Sequence, residues 1–566
     1  MGTDCISALV EKIYFTLSKG LKFLLRIFLW LSAFITLFLL VASLIAGHTK
    51  TIALLISFIH EEAKTDKISA LITKDKFFII QGFLLIAGSA IIFLLAKFNA
   101  AWEFILRLWH SFRDSLMGIT RESLRSNLPL ILILPVLSYA FFAFYMPVFY
   151  DEASTWLNFT SRSPLVSMFY YPTYNNHILH SLITNVTRYI FFLDTLQSMR
   201  VSSIIASIVT CFLLYSLVKK YYSANSALLI TGTSSVLFMY IYYSFASRGY
   251  ALVNLFFVAS LYSVFKIIFE NSRLKYWAYF SVFSVLGFYA MPSFLYPFLT
   301  LNLLLLLNNP KGILRQLLFG MITAAVAGML YAPVIAVNGP DVLTHNKQVH
   351  EATRQEVLNL FPSFASDTLT AVTGINFWII TLLLLASLFF SAFRKKTFAL
   401  NMALVFMVSP LLIMLMNPLI PFARTFVYYC IALPFLFIIP INLYAEKFPR
   451  AYLIAGIILL QAIFLYRFFI KMQTEKQVDL KYSEINKSIA GNHGYYLNCS
   501  LCDVTLLYEL KTHNYPGAVI KYTKPLINVS ADTISGYDYI IIDKAYDETK
   551  QLAPLYSDKL MNVYKK

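Results

Sequence analysis

Two adjacent carboxylates, Asp151 and Glu152, follow the uncharged apolar segment that runs from Asn127 to Met146. Carboxylates at the end of such a segment can act as a general base, as metal ligands or as both. Acidic residues also commonly begin a solvated loop, and this simpler interpretation stays open for the pair on its own. The sequence therefore gives Asp151 and Glu152 as candidate catalytic residues whose role depends on what surrounds them.

A second group of polar residues lies in the segment Tyr171-Pro-Thr-Tyr-Asn-Asn-His-Ile-Leu-His180. On a helix, Asn176, His177 and His180 would lie on one face, which continues to Arg188. A histidine pair at this spacing usually needs a third ligand to hold a metal ion, so hydrogen bonding at the membrane surface is favoured. Asn176, His177 and Arg188 are accordingly predicted to bind substrate, and the identity of any metal ion stays unknown.

Two arginines complete the candidate site. Arg248 lies between two apolar segments in the sequence Ser-Arg-Gly-Tyr250, and Arg424 precedes another apolar segment. A planar guanidinium suits a phosphate or pyrophosphate at the membrane surface, whereas contact with ordinary lipid headgroups is the alternative. Because both arginines are expected on the same side of the membrane as Asp151, we predict that Arg248, Tyr250 and Arg424 bind substrate.

The composition indicates which elements must position these residues. Hydrophobic residues make up 58% of the 566 residues and charged residues only 13%, against about a quarter in soluble domains. Mean hydropathy is +0.67. The net charge of +17 is distributed in short lysine and arginine clusters between apolar segments, a pattern typical of cytoplasmic loops rather than of a nucleic-acid-binding face. The sequence predicts an integral membrane protein that does not bind nucleic acid.

The fold class predicted from the apolar segments is mainly α, a polytopic membrane protein with about thirteen transmembrane helices and a small C-terminal α/β domain. The predicted spans lie near 21–46, 77–97, 127–147, 196–218, 226–246, 249–269, 276–290, 293–308, 316–337, 376–393, 398–417, 425–442 and 450–470.

Three regions follow from this pattern. Residues 1–126 form an N-terminal extension with two spans, and residues 127–470 form the catalytic transmembrane module. Long outer loops are predicted within that module at 148–195 and 338–375. Residues 471–566 alternate polar and apolar side chains and are predicted to form the soluble domain, with strands at Tyr537–Asp543 and Gly517–Tyr522.

The basic clusters also predict an orientation. If the loops that contain Lys219, Lys275 and Lys395 are cytoplasmic, the N-terminus is cytoplasmic and the candidate site and C-terminal domain lie outside. The loop 47–76 is the exception, because it should lie outside and yet contains several lysines.

Taken in order, these elements resemble the GT-C superfamily of membrane glycosyltransferases. The resemblance rests on Tyr150-Asp-Glu152 after an apolar span, the Pro-Thr-Tyr-Asn-Asn-His177 segment, Arg248-Gly-Tyr250 and the terminal soluble domain. Within the superfamily the chain looks like a bacterial relative of the protein O-mannosyltransferase and aminoarabinose transferase families. His177 is followed by Ile-Leu where these families often have Pro-Pro.

The resemblance implies inverting transfer of a sugar from a polyprenyl-phosphate carrier to an acceptor at the outer face of the bacterial inner membrane. Asp151 would be the general base, with Glu152 as its partner or substitute, and Arg248 and Arg424 would stabilise the lipid phosphate. The implied partners are the polyprenyl-phosphate sugar, a glycan, lipid or protein acceptor, and membrane lipids. No cofactor is certain beyond this lipid-linked donor, although a divalent metal ion is an option.

Three other functions stay open. An oligosaccharyltransferase that moves a preassembled lipid-linked glycan to protein would be expected to use a metal ion at Asp151. A polytopic transporter would normally show paired halves and broken helices at mid-membrane depth, whereas this sequence shows no halves and its charges cluster on one face. A non-enzymatic assembly subunit would not need acidic and basic candidates on the same face.

Overall fold

The chain is mainly helical and ends in a small mixed sheet, as its composition predicts. The computed structural model describes residues 2–59, 73–171, 175–191, 195–270, 273–339, 341–344, 350–475, 477–498, 502–522, 536–543, 547, 554–557 and 561–565.

The α-helices are numbered in chain order. The first twelve are α1 Gly2–Ile59, α2 Lys74–Ala96, α3 Phe98–Leu124, α4 Leu128–Tyr145, α5 Tyr150–Thr155, α6 Pro164–Phe169, α7 Ile178–Phe191, α8 Thr195–Tyr221, α9 Ala224–Ser234, α10 Phe238–Phe245, α11 Tyr250–Phe269 and α12 Leu274–Ala290. The remainder are α13 Leu295–Asn308, α14 Ile313–Asn338, α15 Asp341–Thr344, α16 Arg354–Thr373, α17 Phe377–Phe393, α18 Thr397–Met416, α19 Tyr429–Leu436, α20 Ile438–Ala445, α21 Arg450–Glu475, α22 Gln477–Ile489 and α23 Cys502–Thr512.

Eight helices in the described part of the chain are long and apolar enough to cross a membrane, namely α1, α2, α4, α8, α11, α14, α18 and α21. The number rises to ten if two bent pairs each form one span: α9 with α10, bent by 70°, and α16 with α17, bent by 93°. The polytopic helical fold is therefore confirmed. The predicted number of thirteen spans is not, because several predicted spans consist of short or broken helices.

Residues 1–120 and 328–344 form one compact unit. In it α1 and α2 pack side by side, and the Gln81 side-chain amide donates a hydrogen bond of 3.1 Å to the Ser43 hydroxyl between them. Helix α1 is interrupted at Gly47, whose φ of 68° is readily adopted only by glycine. Helix α3 carries charged residues among its apolar ones, and the sequence analysis did not predict it.

Residues 121–327 and 345–566 form a second compact unit, which contains the candidate site. Helix α8 packs against α4, α7, α9, α10 and α11 in its apolar core. The break between α9 and α10 leaves backbone carbonyls that need partners at membrane depth. Tyr139 of α4 donates to the Ser235 carbonyl at 2.5 Å, and Gln461 of α21 donates to the Gly232 carbonyl at 3.2 Å. Side chains from neighbouring helices thus stabilise the broken span.

The two predicted outer loops contain helices. Residues 148–195 include α5, a π-helical turn at Trp156–Thr160, α6 and α7. Residues 338–375 include α16, which begins with a reciprocal cap. The Glu356 amide donates to the Thr353 hydroxyl at 3.2 Å, and the Glu356 carboxylate accepts from the Thr353 amide at 2.7 Å.

The C-terminal region forms a five-stranded sheet in the order β4 (Val519–Tyr522), β3 (Gly494–Asn498), β5 (Tyr539–Asp543), β7 (Met561–Lys565) and β6 (Tyr556–Ser557). Strand β3 pairs in parallel with β4 and β5, whereas β7 pairs antiparallel with β5 and β6. Tyr495, Leu506 and Ile541 are buried in its own small core. The predicted α/β region is therefore confirmed. Two further strands, β1 His350–Glu351 and β2 Leu419–Ile420, pair with each other elsewhere.

Candidate active site

The two adjacent carboxylates lie in the first turn of α5 and have different environments. The Asp151 side chain is 41% exposed, whereas the Glu152 side chain is 1% exposed. Successive helical residues point about 100° apart, so one can face solvent while the next faces the core. The structure therefore gives the proposed base, Asp151, and its proposed partner or substitute, Glu152, different environments.

Glu152 forms a buried ion pair with Arg200 of α8. The Arg200 Nε and Nη2 atoms donate to the two carboxylate oxygens at 3.0 and 2.5 Å. The same oxygens accept from the backbone amides of Phe149 at 3.1 Å and Ser247 at 2.6 Å. The Glu152 carboxylate already accepts four hydrogen bonds from protein groups. The geometry therefore supports a positioning role for Glu152 rather than a role as base or metal ligand.

Arg200 is itself fully satisfied, although its side chain is only 1% exposed. Its Nη1 donates to the carbonyls of Ala143 and Met146 at 2.7 and 2.8 Å, and its Nη2 also donates to the Pro147 carbonyl at 2.7 Å. These carbonyls belong to the end of α4, where helical partners are missing. Arg200 thus fixes the end of α4 and the start of α5 against α8.

Sequence reasoning missed Arg200. A signal existed, because Arg200 lies inside a predicted apolar span (196–218), where an ionisable side chain is costly and needs a partner.

The exposed carboxylate of Asp151 lies between the two predicted arginines. Its Oδ2 is 3.7 Å from Nη2 of Arg248 and 3.7 Å from Nη1 of Arg424. These residues lie far apart in the chain, and the fold brings all three together as the sequence analysis expected of one site. Together they form a partly exposed site with two guanidinium groups and one carboxylate.

Arg248 is rigidly held. Its side chain is 6% exposed, and its Nη1 donates to the Thr155 hydroxyl at 3.2 Å and to both the carbonyl and the side-chain oxygen of Asn175. Its Nε is buried and has no hydrogen-bond partner among the described residues. Arg424 is more accessible, with 36% of its side chain exposed and its guanidinium 4.5 Å from the centre of the Phe422 ring.

The turn that carries Arg248 is fixed through its backbone. Ser203 donates to the Ala246 carbonyl at 2.8 Å, the Ser247 amide donates to Glu152, and the Gly249 amide donates to Nδ1 of His177 at 2.7 Å. A side chain at Gly249 would meet the His177 Cβ at 3.0 Å, so this close approach favours glycine.

His177 contacts both the turn and Arg248. Because its Nδ1 accepts from the Gly249 amide, the neutral ring carries its proton on Nε2, which lies 3.4 Å from Nη2 of Arg248. Burial, and then the charge of Arg248, hold the pKa of His177 well below its usual value. His177 is therefore neutral at physiological pH, and its ring packs edge-on against Tyr250, 5.3 Å between ring centres. These two predicted substrate-binding residues adjoin the arginine site.

The side-chain amide of Asn176 does not contact the site formed by Asp151, Arg248 and Arg424. Its Nδ2 donates to the carbonyls of Ser167 and Tyr170 at 2.8 and 3.1 Å, and its Oδ1 accepts from Ser181 at 3.1 Å. The amide thus connects α6 to the start of α7, and it is the neighbouring Asn175 that contacts Arg248. The preceding residues, 172–174 of the predicted motif, lie outside the described part of the chain.

His180 and Arg188 have separate partners. Nε2 of His180 lies 3.2 Å from the Ser202 hydroxyl, and burial, followed by the charge of Arg248, lowers its pKa to about 3. The Arg188 guanidinium lies 5.4 Å from the ring centre of Trp156. The face predicted for His177, His180 and Arg188 is therefore divided between the arginine site, α8 and the π-helical turn.

The arrangement does not fit a divalent metal ion. Arg248 and Arg424 occupy the surroundings of the Asp151 carboxylate, and Glu152 is bound to Arg200. Among the described residues, no three His, Cys, Asp or Glu side chains are close enough to share an ion. The positive charge at this site comes from guanidinium groups.

An apolar cavity of about 230 Å³ lies close to Arg424 in the chain. Phe426, two residues after Arg424, lines it together with residues of α16, α17, α18 and α19. The cationic site thus lies two residues along the chain from an apolar cavity suited to hydrocarbon.

Comparison with known proteins supports the fold. No family model matches the chain, and no curated protein matches it. The fold is similar to that of the crystal structure of ArnT from Cupriavidus metallidurans in the apo state, with a TM-score of 0.51 and 10% sequence identity. The match covers 77% of this chain and 97% of that chain. The chain therefore shares the fold of that structure, and the resemblance expected from the sequence is confirmed at the level of fold.

Proposed function

We propose that this protein transfers a sugar, with inversion, from a polyprenyl-phosphate carrier to an acceptor hydroxyl at the outer face of the bacterial inner membrane. The observation that carries the proposal is the exposed Asp151 carboxylate, 3.7 Å from the guanidinium groups of both Arg248 and Arg424. One carboxylate can accept a proton while two cations hold a phosphate. The GT-C fold is compatible with this chemistry. The identities of the lipid-linked donor and of the acceptor are proposed here.

The charge of the site favours a monophosphate carrier. Two arginines and one aspartate sum to +1, because His177 is neutral. A polyprenyl monophosphoryl sugar is a phosphodiester with one negative charge, whereas a pyrophosphate-linked sugar carries two. The monophosphate therefore neutralises the site, and the arginines exchange Asp151 for phosphate oxygens when it binds.

In the proposed step the acceptor oxygen attacks the anomeric carbon while Asp151 takes the hydroxyl proton. The new oxygen–carbon bond forms as the bond from the anomeric carbon to the phosphate oxygen breaks. The electron pair of that bond stays on the phosphate, which leaves as polyprenyl phosphate with additional negative charge. Arg248 and Arg424 stabilise that charge, and attack from the face opposite the phosphate inverts the configuration.

The other site residues have supporting roles in this proposal. The rings of Tyr250 and His177 pack against each other beside Arg248. The apolar cavity at Phe426 and Tyr429 accommodates the beginning of the isoprenoid chain. Glu152 and Arg200 position the helix that carries Asp151 and the turn that carries Arg248. The Arg188 guanidinium lies over the Trp156 ring, and Arg188 is a secondary candidate for substrate contact.

Replacing either arginine is expected to weaken use of the lipid donor. Loss of one charge-assisted contact costs on the order of 1.5–3 kcal/mol, about ten- to a hundredfold in transfer efficiency. Arg248→Ala and Arg424→Ala should raise the donor KM, and lysine at either position should recover only part of the loss because it lacks the planar fork. The measurement is donor and acceptor kinetics in nanodiscs.

Arg394→Ala is the matched control, because this exposed arginine lies between α17 and α18 in a predicted cytoplasmic loop. Wild-type donor kinetics in both site variants would show that the arginines contact only bulk lipid. An effect confined to acceptor kinetics would reverse the donor and acceptor sides of the site.

The proposal also requires the site to lie outside the cytoplasm, as the basic clusters predict. A reporter enzyme that is active only outside the cytoplasm should be active when it is fused after Lys566. Activity of a cytoplasm-only reporter at that position would place the C-terminal domain on the opposite side and contradict the assignment.

A further inference from the structure

A second, polar cavity of about 620 Å³ lies between the end of α4 and the C-terminal helices α22 and α23. Its volume falls within the range of about 300–1,000 Å³ that is typical of ligand pockets. The polar side chains that matter here are Tyr145, Gln473, Glu484, Lys487, Glu509 and His513. The donor site described above does not use this cavity.

The cavity lies close to the proposed base. Val148 lines it and precedes Asp151 by three residues, so the two Cα atoms are at most about 10 Å apart. Tyr508 of α23 also lines the cavity and packs on the other side with Ala153 and Trp156, just after Asp151. The C-terminal domain thus forms one wall of a cavity whose lining reaches Val148, three residues before Asp151.

The chemistry of this lining differs from that of the arginine site. It holds two carboxylates, one lysine and one histidine, and none of the described lining residues is an arginine. Glu509 is 7% exposed, and its carboxylate oxygen lies 3.3 Å from Nδ1 of His513. Gln473 donates to the Tyr145 hydroxyl at 2.7 Å, and Tyr145 is 42% exposed. The cavity lining therefore contains both hydrogen-bond donors and hydrogen-bond acceptors, and it has no net positive charge that would bind a phosphate.

We infer that this cavity binds the acceptor, and that the acceptor is an uncharged glycan rather than a phosphorylated lipid; the inference rests on the proposed transfer reaction. Carboxylate and amide groups bind sugar hydroxyls, and the partly exposed Tyr145 hydroxyl, which accepts from Gln473, can donate to another. A phosphorylated acceptor would instead meet the carboxylates of Glu484 and Glu509, which repel it. The arginines of the donor site stay reserved for the carrier phosphate.

The test uses the full-length protein in nanodiscs with a panel of labelled polyprenyl-phosphate sugars. Three acceptor probes are compared: a neutral tetrasaccharide of hexose and N-acetylhexosamine units, a phosphorylated glycolipid and a peptide that contains serine and threonine. The variant Ser483→Trp fills the cavity, and Glu509→Gln removes a buried carboxylate. Ser488→Trp is the matched control, because Ser488 lies on the same helix and does not line the cavity.

The expected result is transfer to the tetrasaccharide, with an acceptor KM raised tenfold or more by Ser483→Trp and by Glu509→Gln. The donor KM and the Ser488→Trp kinetics should stay at wild-type values. Transfer to the tetrasaccharide that both cavity variants leave unchanged would overturn the cavity assignment, and transfer only to the glycolipid or the peptide would overturn the acceptor class. If no probe removes sugar from any carrier, the proposed function itself fails.

Discussion

Asp151→Asn is expected to reduce sugar transfer by about a hundredfold to ten thousandfold, the usual contribution of a general base. Asparagine has nearly the same size and shape, so the protein should still fold. Because the substitution removes the one carboxylate that lies within 4 Å of both arginines in the described part of the chain, the local charge rises from +1 to +2. Binding of a polyprenyl monophosphate should therefore be retained or become tighter while catalysis is lost.

The measurement pairs single-turnover transfer with equilibrium binding of polyprenyl monophosphate. Asp114→Asn is the control, because Asp114 is an exposed aspartate of α3 that pairs with its neighbour Arg113. Turnover at the wild-type rate in Asp151→Asn would remove this residue from the mechanism. Loss of turnover together with loss of phosphate binding would assign Asp151 to folding or positioning instead.

Arg200→Met is expected to cause the largest loss of stability of any single change at the site. Removing one partner of a buried ion pair leaves an uncompensated charge and costs about 3–5 kcal/mol. Here the change would also leave the carbonyls of Ala143, Met146 and Pro147 without their donor. Glu152→Gln should be destabilising for the same reason, because it strands the Arg200 charge.

Thermal unfolding in detergent measures both variants, and the double variant Glu152→Gln/Arg200→Met supplies the coupling. Since the double variant buries no unpaired charge, its destabilisation should be smaller than the sum of the two single changes by about 0.5–3 kcal/mol. Glu122→Gln is the control, because its ion pair with Lys219 is exposed and should be worth less than about 1 kcal/mol. A melting temperature of Arg200→Met equal to that of Glu122→Gln would refute the positioning role.

The sequence predicted the helical fold well because membrane spans require long apolar runs that composition reveals directly. Spans with breaks were harder to predict, since α9 and α10 rely on Tyr139 and Gln461 from distant helices for hydrogen bonds. Helix α16 was predicted as loop despite its capping-box signature at Thr353 and Glu356. A local signal was present there and was overlooked.

The site was predictable only in part. The basic clusters placed Asp151, Arg248 and Arg424 on one side of the membrane, and the fold brings them within ion-pair distance. Which of two adjacent carboxylates faces the site depends on the direction of one helical turn, which composition does not encode. The same limit explains why Asn175, rather than Asn176, contacts Arg248.

The proposed transfer reaction is tested most directly by following a labelled sugar from a synthetic polyprenyl monophosphate to product with the purified protein in nanodiscs. Label should leave the carrier when an acceptor is present, and the new glycosidic bond should have the opposite anomeric configuration. The matched pyrophosphate-linked donor should be a much poorer substrate, and Asp151→Asn should lower product formation by about a hundredfold or more. Retained configuration, or equal use of the pyrophosphate donor, would contradict the mechanism derived from Asp151, Arg248 and Arg424.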